Sequence, residues 1–215
     1  MSGLDANVKT EVVYRPIGLM PRRPSDARKR IVQAALELFG RRGYHDTSIA
    51  DILEESGCTR GTLYHYFSSK RELGLAAIEE MARLLGEQGA ARHLRTDAHP
   101  IDRMLKMIDE LPGVVKLQSG EALTPSVAVH LGAAEPEFRE RISTRFAEFI
   151  GELEAVLRRG VDEGQIVQSV DPRVLSCLFV VTCEGVQFTS VLGLPQALWD
   201  DARRWLKEYL NSLRT

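Results

Sequence analysis

Between Thr59 and Lys70 the chain reads Thr-Arg-Gly-Thr-Leu-Tyr-His-Tyr-Phe-Ser-Ser-Lys, a run rich in side chains that meet nucleic acid. Arg60 offers a guanidinium fork that matches the major-groove edge of guanine, and Thr62 can reach a base or a thymine methyl. Tyr64 and His65 can donate to phosphates, with Lys70 beside the backbone. Gly61 has no side chain to hold a helix away from a duplex. Just upstream, Thr47 and Ser48 can present hydroxyls or amides to a phosphate at a helix start. A wheel drawn at about 100° per residue with Leu63 innermost places Thr59, Tyr66 and Phe67 inside. Gly61, Thr62, Tyr64 and His65 then face out, flanked by Arg60. The candidate DNA-binding set is Thr47, Ser48, Thr59, Arg60, Gly61, Thr62, Tyr64, His65, Tyr66 and Lys70.

Such a surface needs a tight helical frame, and the flanking sequence predicts one. Residues 1–24, with three prolines, two glycines and no sustained apolar period, read as a mobile arm whose Arg22 and Arg23 suit a minor groove. A first helix is predicted from an N-cap at Ser25, with Ile31, Ala34, Ala35, Leu38 and Phe39 as its apolar stripe, ending at Gly43. Ser48 and Asp51 are spaced as a capping box for a short second helix that stops at Gly57. Thr59 caps a third, and Ser69 with Glu72 opens a fourth. Short helix, glycine turn and third helix make a helix-turn-helix, whose second helix enters the major groove.

The remainder also reads as helix. Residues 90–100 form a connection without a period, followed by a helix over 101–111 and one or two helices within 114–131. A long helix starts at Pro136, and another follows Pro172 that is apolar on nearly every side and is predicted to be buried from several directions. A last helix follows Pro195. The expected fold is all-α, with an arm (1–24), a DNA-binding head (25–75), a connecting helix and linker (76–97) and a larger helical body (98–215), to which the family resemblance given below assigns effector binding and dimerisation.

The charge is divided in the same way. Residues 22–71 carry ten basic side chains against six acidic, a net +4, while the 144 residues after them carry −6 of the chain's total of −2. A basic front on an acidic back fits a DNA-binding head on a body that does not touch DNA. Three cysteines with neither Cys-x-x-Cys nor a zinc-spaced His cluster predict free thiols and no metal. No apolar run nears the roughly 20 residues of a membrane span, and no signal peptide is read, so a cytoplasmic location is expected. Hydrolase, zincin, phosphate-loop and dinucleotide signatures are missing, so neither an enzyme nor a cofactor is predicted.

The head resembles the TetR family of bacterial transcriptional regulators. The resemblance rests on Gly43-Tyr44, Thr47-Ser48-Ile49, Ser56-Gly57 and Thr59 to Phe67 with Lys70 and Leu73, and covers residues 26–75. It implies a homodimer reading two half-sites of a palindromic double-stranded operator, and a body that binds a small-molecule effector. It further implies dimerisation through the final long helices, placed by analogy at Pro136 and Pro172, with repression as the default mode. The competing class is a helical adaptor that binds a protein partner and has little specific affinity for DNA.

The effector side is read from polar and polarisable residues in apolar helices. Glu184 interrupts the apolar helix beside Cys183, with Gln187 a turn further on; a carboxylate there must meet solvent, a dimer partner or a ligand. His130, Met104, Met107, Phe146 and Phe188 complete the candidate ligand set around a mainly apolar effector. Each also has a plainer reading as core, gap-filler or interface.

Overall fold

The structure is a computed structural model that describes residues 24–110, 117, 125–190 and 195–215. Among them run the helices α1 (Pro24–Arg42), α2 (Ile49–Ser56), α3 (Arg60–Tyr66), α4 (Lys70–Glu87), a 3₁₀ helix (Ala90–Arg95), α5 (Pro100–Glu110), α6 (Pro125–Ala134), α7 (Pro136–Asp162), α8 (Pro172–Ser190) and α9 (Gln196–Ser212). The fold is all-α; the only extended pairing among the described residues is an isolated bridge between Ile166 and Arg214. The arm with Arg22 and Arg23, and much of 114–131, lie outside the described residues.

Local signals set most helix ends. Ser48 and Asp51 form a complete capping box: Ser48 N–H donates to Asp51 Oδ2 at 2.7 Å and Asp51 N–H to Ser48 Oγ at 3.1 Å. Those hydrogen bonds hold the Asp51 carboxyl below its usual range. Gly57 ends α2 with φ +60°, and Gly43 follows α1 with φ +84°, both left-handed positions where a Cβ is strained.

Three boundaries differ from expectation. The first helix starts at Pro24, so Ser25 is inside it rather than at its N-cap, consistent with the ease with which proline occupies a first turn. Glu72 reaches one residue further than a capping box requires. It accepts from Ser68 N–H at 2.7 Å, while Ser69 Oγ accepts from Glu72 N–H at 3.2 Å. The stretch expected to be an unstructured connection winds instead into the 3₁₀ helix, pinned by Arg103 donating to Leu94 O and Ala98 O.

Two apolar clusters form among the described residues. The first surrounds α1, every residue of which from Ile31 to Phe39 is buried. It gathers Ile52, Leu63, Phe67 and Leu73 from the head and Ile78 from further along α4 with Val127, Leu131, Phe138 and Ile142 from α6 and α7. Head and body therefore share a core, and the division expected at residue 75 falls inside the continuous helix α4. The second cluster joins Met104, Met107 and Ile108 of α5 to Leu153 and Leu157 of α7, Phe179 and Cys183 of α8, and Leu206 and Leu210 of α9.

Helix α8 departs from expectation. Its apolar surroundings stop at one face, leaving Val174, Leu178, Val181 and Phe188 between 51% and 68% exposed. The sequence reads apolar all round, but within one chain neighbours cover only the side bearing Leu175, Phe179, Val180 and Cys183.

The tightest crossing between head and body is at Gly74. A Cβ there would overlap the fully buried ring of Phe138, as one at Gly40 of α1 would stand 2.7 Å from Val127 Cγ2 on α6. Gly74→Ala is expected to destabilise the fold by about 1–3 kcal/mol, the usual range for overpacking, measured by urea unfolding; Gly151→Ala, on an open face of α7, should cost nothing comparable.

Candidate DNA-binding surface

Helix α3 is held by its ends and its inner face. Thr59 Oγ1 accepts from Thr62 N–H at 3.2 Å and lies 2.9 Å from Thr62 Oγ1, while Phe67 N–H closes the far end on Leu63 O at 2.9 Å. Leu63 is fully buried, Phe67 nearly so, and Tyr66 is half-buried against the same core. The opposite face exposes Arg60, Gly61, Tyr64 and His65, with Thr62 half-buried at its edge. His65 packs edge-on against Tyr66, ring centroids 4.8 Å apart.

The structure places four of these residues differently from the wheel or from a free-donor role. Thr59 is exposed at the cap rather than inside, because an N-cap has extended backbone and leaves the helical wheel. Thr47 is fully buried; its hydroxyl donates to Gly43 O at 2.8 Å and Leu38 O at 3.3 Å, and its amide to Tyr44 O. Thr47 thus ties the α1–α2 loop together and presents nothing outward. Ser48 is exposed with its hydroxyl and amide both engaged by Asp51. The Lys70 ammonium sits 4.4 Å from the Tyr44 ring centroid and donates to His45 O at 3.4 Å; burial pulls its pKa down against the attraction of Asp46, Asp51 and Glu135.

The turn is braced from α1. Arg30 donates to Ser56 O at 3.1 Å, Arg42 pairs with Asp51 and Arg41 with Glu55. The Arg28 guanidinium lies 5.4 Å from the Phe67 ring centroid. Sequence reading missed these braces and Tyr44, whose ring joins Phe39, His45 and Phe138. Apart from Phe39 and His45, which neighbour Tyr44, the partners lie further off in the chain, as Ser56 does from Arg30 and Phe138 from Tyr44, and no helical period links them.

The candidate ligand residues divide into two groups. Met104, Met107 and Cys183 are buried together in the second cluster with Phe146 half-buried at its edge, and burial, with Glu184 nearby, pushes the Cys183 thiol up to about 12. Glu184 and Gln187 are half-buried on α8, and burial raises the Glu184 carboxyl. His130 on α6 is exposed, as is Phe188 at 51%, so the structure does not bring these two to the cluster. Charged clefts on α7 and between α5 and α9 contain none of the eight. Among the described residues no group of His, Cys, Asp or Glu is arranged to hold a metal, and no helix is long and apolar enough to cross a membrane.

A short capped helix exposing Arg60, Tyr64 and His65 behind a glycine turn, on an all-helical body, defines a helix-turn-helix regulator. The model for bacterial regulatory proteins of the tetR family matches residues 31–77, and a tetracyclin repressor-like C-terminal domain matches residues 100–206. A regulator of Bacillus subtilis, YfiR, is 30% identical over 66% of this chain and 68% of its own. A TetR transcriptional regulator from Chloroflexus aurantiacus superposes with TM-score 0.76 at 25% identity, over 90% of this chain and 98% of that one. The B. subtilis regulator FadR, solved in complex with stearoyl-CoA, superposes with TM-score 0.62 at 20% identity, over 83% and 96%. The chain belongs to the TetR family of transcriptional regulators, which bind DNA and are not enzymes.

Thr47→Val keeps the side-chain shape but removes the buried hydroxyl proton shared between Gly43 O and Leu38 O. It is expected to cost about 1–3 kcal/mol in chemical unfolding, with little change in affinity for DNA at temperatures where the protein remains folded.

Proposed function

We propose that the protein is a cytoplasmic homodimeric repressor, released from a palindromic operator by a small, mainly apolar effector. The observation that carries the DNA-binding role is the outer face of α3, where Arg60, Tyr64 and His65 stand exposed around Gly61 on a helix fixed at both ends. Arg60 reads guanine, Thr62 a neighbouring base or methyl, and Tyr64 and His65 hold the backbone. The arm's Arg22 and Arg23 add minor-groove contacts.

The dimer reading rests on α8 and α9 rather than on α7, where sequence analogy places half of it. Val174, Leu178, Val181, Gly185 and Phe188 recur at alternating steps of four and three, the spacing of a helix-packing seam, and all are exposed. Leu198, Trp205 and Tyr209 add exposed apolar surface on α9, the last two with rings stacked at 5.6 Å. An apolar stripe of this length on a folded chain marks an interaction site, and a second copy supplies a matching stripe through a two-fold axis. Helix α7 instead turns Arg158, Arg159 and Glu152 to solvent.

The effector reading rests on Met104, Met107, Cys183 and Phe146, soft apolar side chains from α5, α7 and α8. Glu184 at their margin supplies a hydrogen-bonding handle. FadR's complex with stearoyl-CoA shares the apolar character proposed for this ligand.

Fluorescence anisotropy against duplexes tiled across the upstream region should find one palindromic tile bound at least ~10³-fold more tightly than a scrambled duplex at the same salt. Arg60→Ala should relax base preference at one or two positions by about 1–3 kcal/mol. Uniformly weak binding to every tile, repeated after random-sequence selection, would favour the protein-partner adaptor. Separately, Val181→Glu places a charge in the seam and should convert a sedimenting dimer to monomer, lowering operator affinity at least tenfold. A dimer that survives this substitution and Leu178→Glu together would contradict the seam.

A further inference from the structure

Arg71 is the first-turn neighbour of Lys70 on α4, yet its guanidinium turns away from the DNA-facing surface and towards the body. Its Nε donates to Glu135 Oε2 at 3.0 Å, and a second nitrogen pairs with Glu137. These two carboxylates flank Pro136 at the start of α7. The same Glu135 is hydrogen-bonded to Tyr44 of the α1–α2 loop, and the Tyr44 ring meets Phe138 edge-on with centroids 5.0 Å apart. Burial first, then the charge and hydrogen bond of Glu135, push the Tyr44 phenol up to about 12, so it remains a donor throughout the physiological range. One end of α7 thus grips both the loop before the recognition unit and the helix after it.

We propose that Arg71, Glu135 and Glu137, with Tyr44, are positioning residues that fix the angle of the DNA-binding head on the body and so set the half-site spacing the dimer accepts. The inference rests on the dimeric DNA-binding reading above. Exposed ion pairs contribute little to stability, and Arg71 is more than half exposed. Their leverage is geometric. The Gly74–Phe138 contact provides a close-packed pivot, and the Arg71 fork, near that pivot but on the surface, resists rotation about it. With two pairs per protomer and two protomers on one operator, small terms act together on the same angle. Arg71 suits the task because its planar fork engages two carboxylates at once, which a lysine ammonium does with less directional definition.

The test compares three duplexes by anisotropy at one salt concentration: the selected operator, the operator with two base pairs inserted between half-sites, and an isolated half-site. The wild-type protein should strongly prefer the native spacing. Glu135→Gln/Glu137→Gln should reduce that preference about tenfold while half-site affinity stays within threefold. Arg71→Gln should do the same, and the triple variant should add nothing further, the signature of residues acting through one interaction. Spacing preference retained in the double variant, or losses that add in the triple variant, would overturn the proposal while leaving the regulator reading intact. A half-site loss equal to the operator loss would reveal general damage to the head and overturn it too. A wild-type protein with neither specific binding nor spacing preference would remove the dimeric reading itself, and the inference with it.

Discussion

The close crossing of α4 over α7, where Phe138 lies against Gly74 and the Tyr44 ring, is the contact on which the rest of the architecture depends. A helix-turn-helix of α1–α3 has too little apolar surface to be indifferent to what lies behind it. Here its core continues without interruption into Val127, Leu131 and Ile142. A displacement of α7 is therefore felt by α4 at close-packed density rather than through a flexible tether, because tightly packed interiors transmit strain instead of absorbing it. Helix α4 runs unbroken from the edge of the recognition unit to Leu84, which still lies in that same first cluster, so the head and the start of α7 meet along one rigid element.

Division of labour within the head follows from where polar groups are already committed. Thr47 and Ser48 look outward in the sequence, but in the structure their hydrogen-bonding capacity is spent on fixing the loop and the start of α2. The α3 face is different: its caps are at the ends, its apolar groups are inside, and Arg60 and Tyr64 are left to the solvent side. Rigidity comes from one set of residues and the exposed surface from another, so the second set can vary without loosening the frame.

Much of this frame was legible in the chain. Ser48 with Asp51, Gly57 and Thr59 act through neighbours three or four residues away, and the structure has the expected second and third helices within a residue. The long helices after Pro136 and Pro172 were equally plain, since proline and apolar period are local signals. What escaped was non-local or depended on a missing surface. Arg71 and Glu135 are 64 positions apart, and nothing in either neighbourhood points to the other. The α8 pattern reported that apolar residues lie all around the helix but not which face the same chain would cover. Thr59 misled a helical wheel because a cap does not obey helical geometry, and the sequence did not show that His130 and Phe188 stand exposed, away from Met104, Met107 and Cys183.

A lone subunit with Val181, Leu178 and Trp205 open to water is a poor end point for folding. Whatever removes that stripe from solvent binds the native state and not the unfolded chain, so mass action ties the stability of the fold to the abundance of its occupant. Chains on which the stripe stays uncovered are the form most exposed to proteolysis and aggregation.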